Sequence, residues 1–221
     1  MFIGDTMNKN KKIIVLLIFL VILTSSLTII FSNTILVDIK LDGIHVKSHT
    51  LSIPGIHENR NQMDTEIAEY VSDEMYEDNS TSDSIKTGIK TICSKYGYSD
   101  IWINIKSEFG EDKLPIHYTV EGTSMLPTFE DGESVIVEKT RNISPGDCVV
   151  ANTDEYGRVI KRVNQSNGSM YYIVSDNTNV SYTTVNGVLY KEEGIKTWVN
   201  QSDIVGIVRI HNVTNQTHFD I

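Results

Sequence analysis

Nineteen consecutive uncharged residues, Ile13 to Phe31 (IIVLLIFLVILTSSLTIIF), constrain this chain more than any other feature. As a helix rising 1.5 Å per residue the run spans roughly 28 Å, close to the ~30 Å hydrocarbon thickness of a bilayer. Its polar members, Thr24, Ser25, Ser26 and Thr28, carry hydroxyls that can bond back to helix carbonyls. Lys9, Lys11 and Lys12 precede it, and Asp38 and Asp42 follow. By the positive-inside rule, residues 1–12 are cytoplasmic, 13–31 cross the membrane, and everything beyond lies outside. A cleaved secretory signal would have a core of ~7–15 residues followed by small residues. Here the run is longer, and no alanine occurs before Ala68. The sequence therefore predicts a retained, single-pass anchor in a cell membrane, with the bilayer as a partner.

The remainder is acidic. Residues 32–114 hold 15 acidic and 8 basic side chains, and residues 115–221 hold 13 and 8, within a chain of net charge −10. That balance argues against a nucleic-acid partner, since phosphate binding needs a basic face. Cys93 and Cys148 are the two cysteines and sit in no zinc-ligand spacing; one disulfide or none is open. N-x-S/T sequons begin at eight asparagines, among them Asn179, as an Asn- and Ser-rich composition produces by accident.

Residues 32–63 offer short β-like runs and Pro54-Gly55 but no firm assignment. Asp64 is the expected N-cap of a helix with Ile67, Val71 and Met75 on one face. A second helix follows with Ile85, Ile89, Ile92 and Tyr96 in a stripe and Gly97 at its C′ position. Ile101 to Ile105 alternates as a strand, so 32–114 reads as a small extracytoplasmic α/β region. From Ile116 onward the pattern is strands and turns: 116–121, 134–138, 147–152, 157–163, 170–175, 187–191 and 204–211. Asn167-Gly168 and Asn186-Gly187 signal hairpins. The expected fold is mainly β, a bent sheet over 115–221 behind one apolar helix and the α/β insert.

Two segments carry chemistry. Ser124 stands in Val120-Glu121-Gly122-Thr123-Ser124-Met125-Leu126-Pro127-Thr128-Phe129, between a strand and a Pro-containing turn, a setting that can present one hydroxyl beside free backbone N–H groups. In Gly157-Arg158-Val159-Ile160-Lys161-Arg162-Val163, alternation puts Lys161 on the same face as Val159 and Val163. An exposed lysine ionises near 10.4, so neutralising it at pH 7 costs about 4.6 kcal/mol. Burial lowers that pKa by up to ~3–5 units and makes the amine a usable base for a serine nucleophile. A Ser/His/Asp triad is less attractive: none of His45, His49, His57, His117, His211 and His218 has a comparable strand context. His45 and His49 would need a helix to make a metal pair, and their surroundings read as strand or surface.

Together these segments resemble the signal peptidase I family, membrane-anchored serine proteases with a Ser/Lys dyad. Ser124-Met125-Leu126-Pro127-Thr128 is similar to its serine box, Ile160-Lys161-Arg162-Val163 to its lysine box, and Ser175-Asp176-Asn177-Thr178-Asn179-Val180-Ser181 to its G-D-N-x-x-x-S segment. Asp131 to Val137 and Pro145 to Val150 resemble the two intervening strands. The likeness covers roughly 116–211. It implies Ser124 as nucleophile, Lys161 as general base, Ser181 orienting Lys161, Gly122 in the oxyanion loop, and supporting roles for Asp176 and Asn177. It implies no metal or cofactor, and preprotein signal peptides as substrates. Where the family's last box continues to an Asp and an Arg, Thr183 and Val185 stand here, so the ion pair behind the base is lost or replaced. Residues 32–114 fall outside the likeness and read most simply as a solvated surface, with a spacer, a substrate guide or a contact for secretion machinery as the other roles. Two other readings compete with the peptidase: a soluble self-cleaving Ser/Lys protease, which the anchor disfavours, and a membrane-tethered substrate-binding module with a degenerate, inactive fold.

Overall fold

The computed structural model describes residues 9–52, 59–186 and 188–211. The chain begins with α1 (Lys9–Phe31), apolar on all sides. Ser25 Oγ donates to the Val21 carbonyl at 2.7 Å and Ser26 Oγ to Ile22 at 2.8 Å, so these hydroxyls are satisfied along the helix itself. A helix without a polar face needs a protein core or hydrocarbon around it. None of the Lys9–Leu27 window is covered by the other described residues, and its length and composition suffice to cross a membrane.

Next come β1 (Thr34–Leu41), β2 (Val46–Ser52), α2 (Arg60–Tyr76), α3 (Ser82–Lys95), β3 (Asp100–Ser107) and the short β4 (Gly110–Glu111), forming a sheet of order β2-β1-β3-β4 with both helices on one face. Ile35, Val37, Ile39 and Leu41 alternate inward from β1 against Met63, Ile67 and Val71 of α2 and Ile85, Ile89 and Ile92 of α3. The stretch left unassigned in the sequence thus holds two strands. Pro54-Gly55 and His57 lie outside the described residues. α2 has Asn59 at its N-cap position, five residues before the expected Asp64 cap, because Met63 extends the buried stripe by one more step of four. Asp64 instead accepts from Ser48 Oγ at 3.3 Å. α3 begins with a capping box between Thr81 and Ser84.

The second sheet is built from β5 (Pro115–Thr119), β6 (Ser134–Glu138), β7 (Cys148–Thr153), β8 (Gly157–Asn167), β9 (Met170–Val174), β12 (Lys196–Asn200) and β13 (Ile204–His211), in the order β12-β9-β8-β7-β13-β6-β5. β10 (Ser181–Val185) and β11 (Val188–Glu192) form a separate hairpin. The fold is mainly β, with a curled sheet, as the sequence predicts. Register shifts at Val163/Gln165, Ile204/Gly206 and Val208/Ile210 bend the sheet. At the middle one, a Cβ on Gly206 would sit 2.2 Å from the Glu138 carbonyl oxygen, so only glycine lets the strands approach. The bend separates two cores, one around Ile116, Met125, Phe129 and Val137, the other around Val149, Val163, Ile173 and Ile207. Met125 and Phe129 are core residues. Cys93 and Cys148 are free thiols in different cores.

Candidate active site

Lys161 reaches its position because β8 pairs with β7, placing it opposite Val149 between its own neighbours Val159 and Val163. It is 3% exposed. Its Nζ donates to Ser124 Oγ at 2.8 Å and to the Ile160 carbonyl at 2.8 Å. Burial pulls the amine down to about 8, against a smaller opposing pull from the Asp176 carboxylate. Desolvation disfavours the charged form, so the neutral amine is accessible near physiological pH.

Ser124 is held by the loop that follows β5. Gly122 adopts φ +83°, a left-handed conformation that costs other residues strain, and its N–H donates to Asp131 Oδ1 at 2.7 Å. Gly122 thus shapes the loop and does not offer its own N–H to a substrate. Asn177 clamps the loop from the other side. Its backbone N–H donates to the Ser124 carbonyl at 3.0 Å and its Nδ2 to the Thr123 carbonyl at 2.9 Å. Among the described residues nothing accepts from the Ser124 N–H, which leaves that group available to an oxyanion.

Ser124 and Lys161 line one cavity of about 360 Å³ with Tyr118, Val150, Ile160 and Ile195. Its wall includes β5, the terminal strand of the sheet, whose outer edge pairs with no other strand among the described residues.

Asp176 does not touch Lys161 directly. It accepts from Arg162 Nε at 2.7 Å and Nη2 at 2.6 Å, and from the Thr128 hydroxyl. Burial raises its pKa, but the bonds from Arg162 and Thr128 outweigh burial and hold it below the usual carboxylate range. Arg162 also donates to the Gly146 carbonyl. The Arg162–Asp176 pair therefore ties the serine loop to the strand that carries the lysine, and an ion pair stands near the base without an acid at 183 or an arginine at 185. Arg162 was within reach of the sequence, since alternation puts it on the face of β8 opposite Lys161. Asp131 opens a stretch that resembles a family strand, but nothing in its spacing marks it as the acceptor of the Gly122 N–H. Ser181 opens β10, but its side chain, like those of Thr183 and Val185, lies outside the described residues. No cluster of metal-ligating side chains occurs among the described residues, and His45 bonds Asp42 in the turn between β1 and β2.

No curated protein matches the chain. The family model described as Peptidase S24-like matches residues 83–199, from α3 through β12, a span that contains both Ser124 and Lys161. The match is to this peptidase family and not to signal peptidase I itself. More than half of the sequence falls within it, and the chain belongs to the Peptidase S24-like family.

Proposed function

We propose that the protein is a membrane-anchored serine endopeptidase that cleaves signal peptides from exported preproteins. The observation that carries this reading is the 2.8 Å contact between a buried lysine amine and Ser124 Oγ at a cavity. Neutral Lys161 takes the Ser124 proton as Oγ bonds to the scissile carbonyl carbon. The resulting oxyanion accepts from the Ser124 N–H. The carbon–nitrogen bond then breaks, and Lys161 gives its proton to the leaving amine. Lys161 next takes a proton from water, the hydroxide adds to the acyl carbon, the ester bond to Oγ breaks, and the proton returns to Ser124. No metal or organic cofactor enters this sequence.

The free edge of β5 beside the nucleophile suits an extended peptide added as a strand. α1 would hold the domain at the bilayer where preproteins emerge, with the N-terminus cytoplasmic and the catalytic sheet outside. Signal-peptide specificity follows from that placement and from the likeness of the Ser124, Lys161 and Asp176-Asn177 segments to the signal peptidase boxes.

The test is cleavage of a purified preprotein with small residues before its site. Wild-type protein is expected to cut, and Ser124→Ala, Lys161→Ala and Lys161→Arg not to, with all three folded; the guanidinium cannot deprotonate near neutral pH. Cleavage retained in the variants would eliminate the dyad. A wild-type chain that cuts no preprotein in a panel would support the inactive binding module.

A further inference from the structure

The face of the first sheet turned away from α2 and α3 is open and carries three cross-strand rows. Register places Leu51, Leu36 and Trp102 side by side, then His49, Asp38 and Asn104, then Lys47, Lys40 and Lys106. Trp102 is 63% and Leu51 49% exposed. The middle row is partly self-satisfied, since Asn104 Nδ2 donates to Asp38 Oδ1 at 2.8 Å. The lysine row is not. Among the described residues none of the three has a hydrogen-bond or ion-pair partner, although Glu111 lies opposite Lys106 in register. Like charges directly across a sheet destabilise it. Asp38, Glu111 and Asp112 share a cavity with the three lysines, yet Asp112 is bonded to Lys86 and Asp38 to Asn104, which leaves the row open to an external anion.

What lies nearest this face follows from the chain path. Only Ser32 and Asn33 separate α1 from β1, and the Asn33 carbonyl accepts from the N–H groups of Ser99 and Asp100 at 3.0 and 3.1 Å. The exit of the apolar helix is therefore pinned to the corner where β1 and β3 begin. Leu36 follows Phe31 by five residues, a reach of at most about 17 Å. The lysine row lies roughly 13 Å further along the strands. Tryptophan and leucine beside a helix end match the aromatic belt found at both bilayer interfaces, and the lysines beyond them suit the headgroups of a leaflet that carries anionic lipid.

We propose that this face lies on the surface of the bilayer that holds α1, with Trp102, Leu36 and Leu51 in the interfacial layer and Lys40, Lys47 and Lys106 on anionic lipid headgroups. The inference rests on reading α1 as a bilayer anchor, and it assigns the insert the role of laying the catalytic sheet at a fixed height and tilt above the membrane.

The chain has two tryptophans, so Trp198→Phe leaves Trp102 as the sole reporter. The full-length variant is reconstituted into vesicles of phosphatidylcholine and phosphatidylglycerol. Trp102 emission is expected to be quenched by brominated acyl chains and shielded from aqueous iodide. Replacing all three lysines by glutamine lowers the ratio of lying to lifted states by on the order of 100-fold, at about 1 kcal/mol per lysine near the surface. Quenching should fall accordingly. A chain that resists carbonate extraction yet leaves Trp102 open to iodide overturns this inference and spares the anchor, and assigns the face to a protein or soluble anion. A chain that carbonate extracts overturns both.

Discussion

Two lysines, Lys161 buried and Lys139 half-buried, share a depressed pKa and differ in almost everything that matters for chemistry. Lys161 sits in the bent sheet, and Lys139 at the seam where the insert meets that sheet. Burial lowers each to about 8. Each also contacts a serine hydroxyl, Lys161 that of Ser124 at 2.8 Å and Lys139 that of Ser80 at 2.6 Å. The remaining partners part them. Lys139 donates to the carbonyls of Met75 and Glu77 at the end of α2, acceptors that always require its protons. The N–H of Ser80 is committed to the Glu77 carbonyl at 3.0 Å, and Glu74, Glu77 and Asp78 surround it, so neither a donor nor a favourable potential awaits an oxyanion. At Ser124 the N–H has no acceptor among the described residues and the wall carries no cluster of acids. A serine beside a soft lysine is thus insufficient. Catalysis needs a place for the developing negative charge.

The largest expected contrast is in activity. Lys161→Met should lower kcat/KM for preprotein cleavage by about 10⁴-fold or more, on the scale of losing a general base and its nucleophile's activation. Lys139→Met should leave kcat within roughly tenfold, since it touches no reacting atom. If the two losses are similar, the distinction drawn above fails.

Stability should move the other way. The folded chain disfavours charged Lys161, with a pKa of about 8 against an ordinary 10.5. Below pH 8 the full cost of burying the charge is present, and stability rises with pH between about 8 and 10.5 as the unfolded state holds more protons. Lys161→Met removes that cost, because Ser124 Oγ and the Ile160 carbonyl border a cavity that water can enter. At pH 7 we expect a gain of about 1–3 kcal/mol in thermal or urea unfolding. Lys139→Met removes a similar burial cost but frees acceptors of which the Glu77 carbonyl is open to water, so the two terms offset and stability should stay within about 1 kcal/mol of wild type.

A third contrast is in pH. Activity should rise with unit slope up to about 8 and then level, as Lys161 becomes neutral. Substituting Lys139 should not shift that inflection. A profile unchanged between pH 6 and 8 would mean that another group sets the rate.

The smallest effect concerns the seam. Asp78 accepts from Arg158 Nη2 with both oxygens at 2.8 Å and from Asn152, and Arg158 lines the cavity of Ser124 and Lys161 beside Tyr118. The pair is partly exposed and screened by solvent, so Asp78→Asn should cost about 0.2–1 kcal/mol of stability. Loss of its hold on Arg158 should raise KM more than it lowers kcat. A change in kcat alone would assign Asp78 a different role.

Much of the bent sheet was legible from alternation. The bounds of β6 and β13 coincide with the stretches read from sequence, and the dyad residues fall on the expected strand and turn. The expected end of β8 at 163 fails because the register shift after Val163 breaks the alternation while pairing continues to Asn167. β12, Lys-Thr-Trp-Val-Asn, buries Val199 alone among its residues and so showed no apolar stripe. β1 carries a clear alternation but stands directly behind the apolar run. β2 turns Ser48, Thr50 and Ser52 toward the helices with Val46 as the one apolar residue on that face, too little to make a stripe. The ties between distant segments, Arg162 to Asp176, Asp78 to Arg158, and Lys139 to the end of α2, depend on how the sheets fold back and leave no trace in local spacing.

The most direct test of the account is the titration of Lys161 itself. In protein labelled at lysine side chains, the resonance lost in Lys161→Met identifies the amine, and its shift is followed from pH 6 to 11. The account predicts a midpoint of about 8 that moves when Ser124 is replaced by alanine. A midpoint at the ordinary lysine value, indifferent to Ser124, would contradict it.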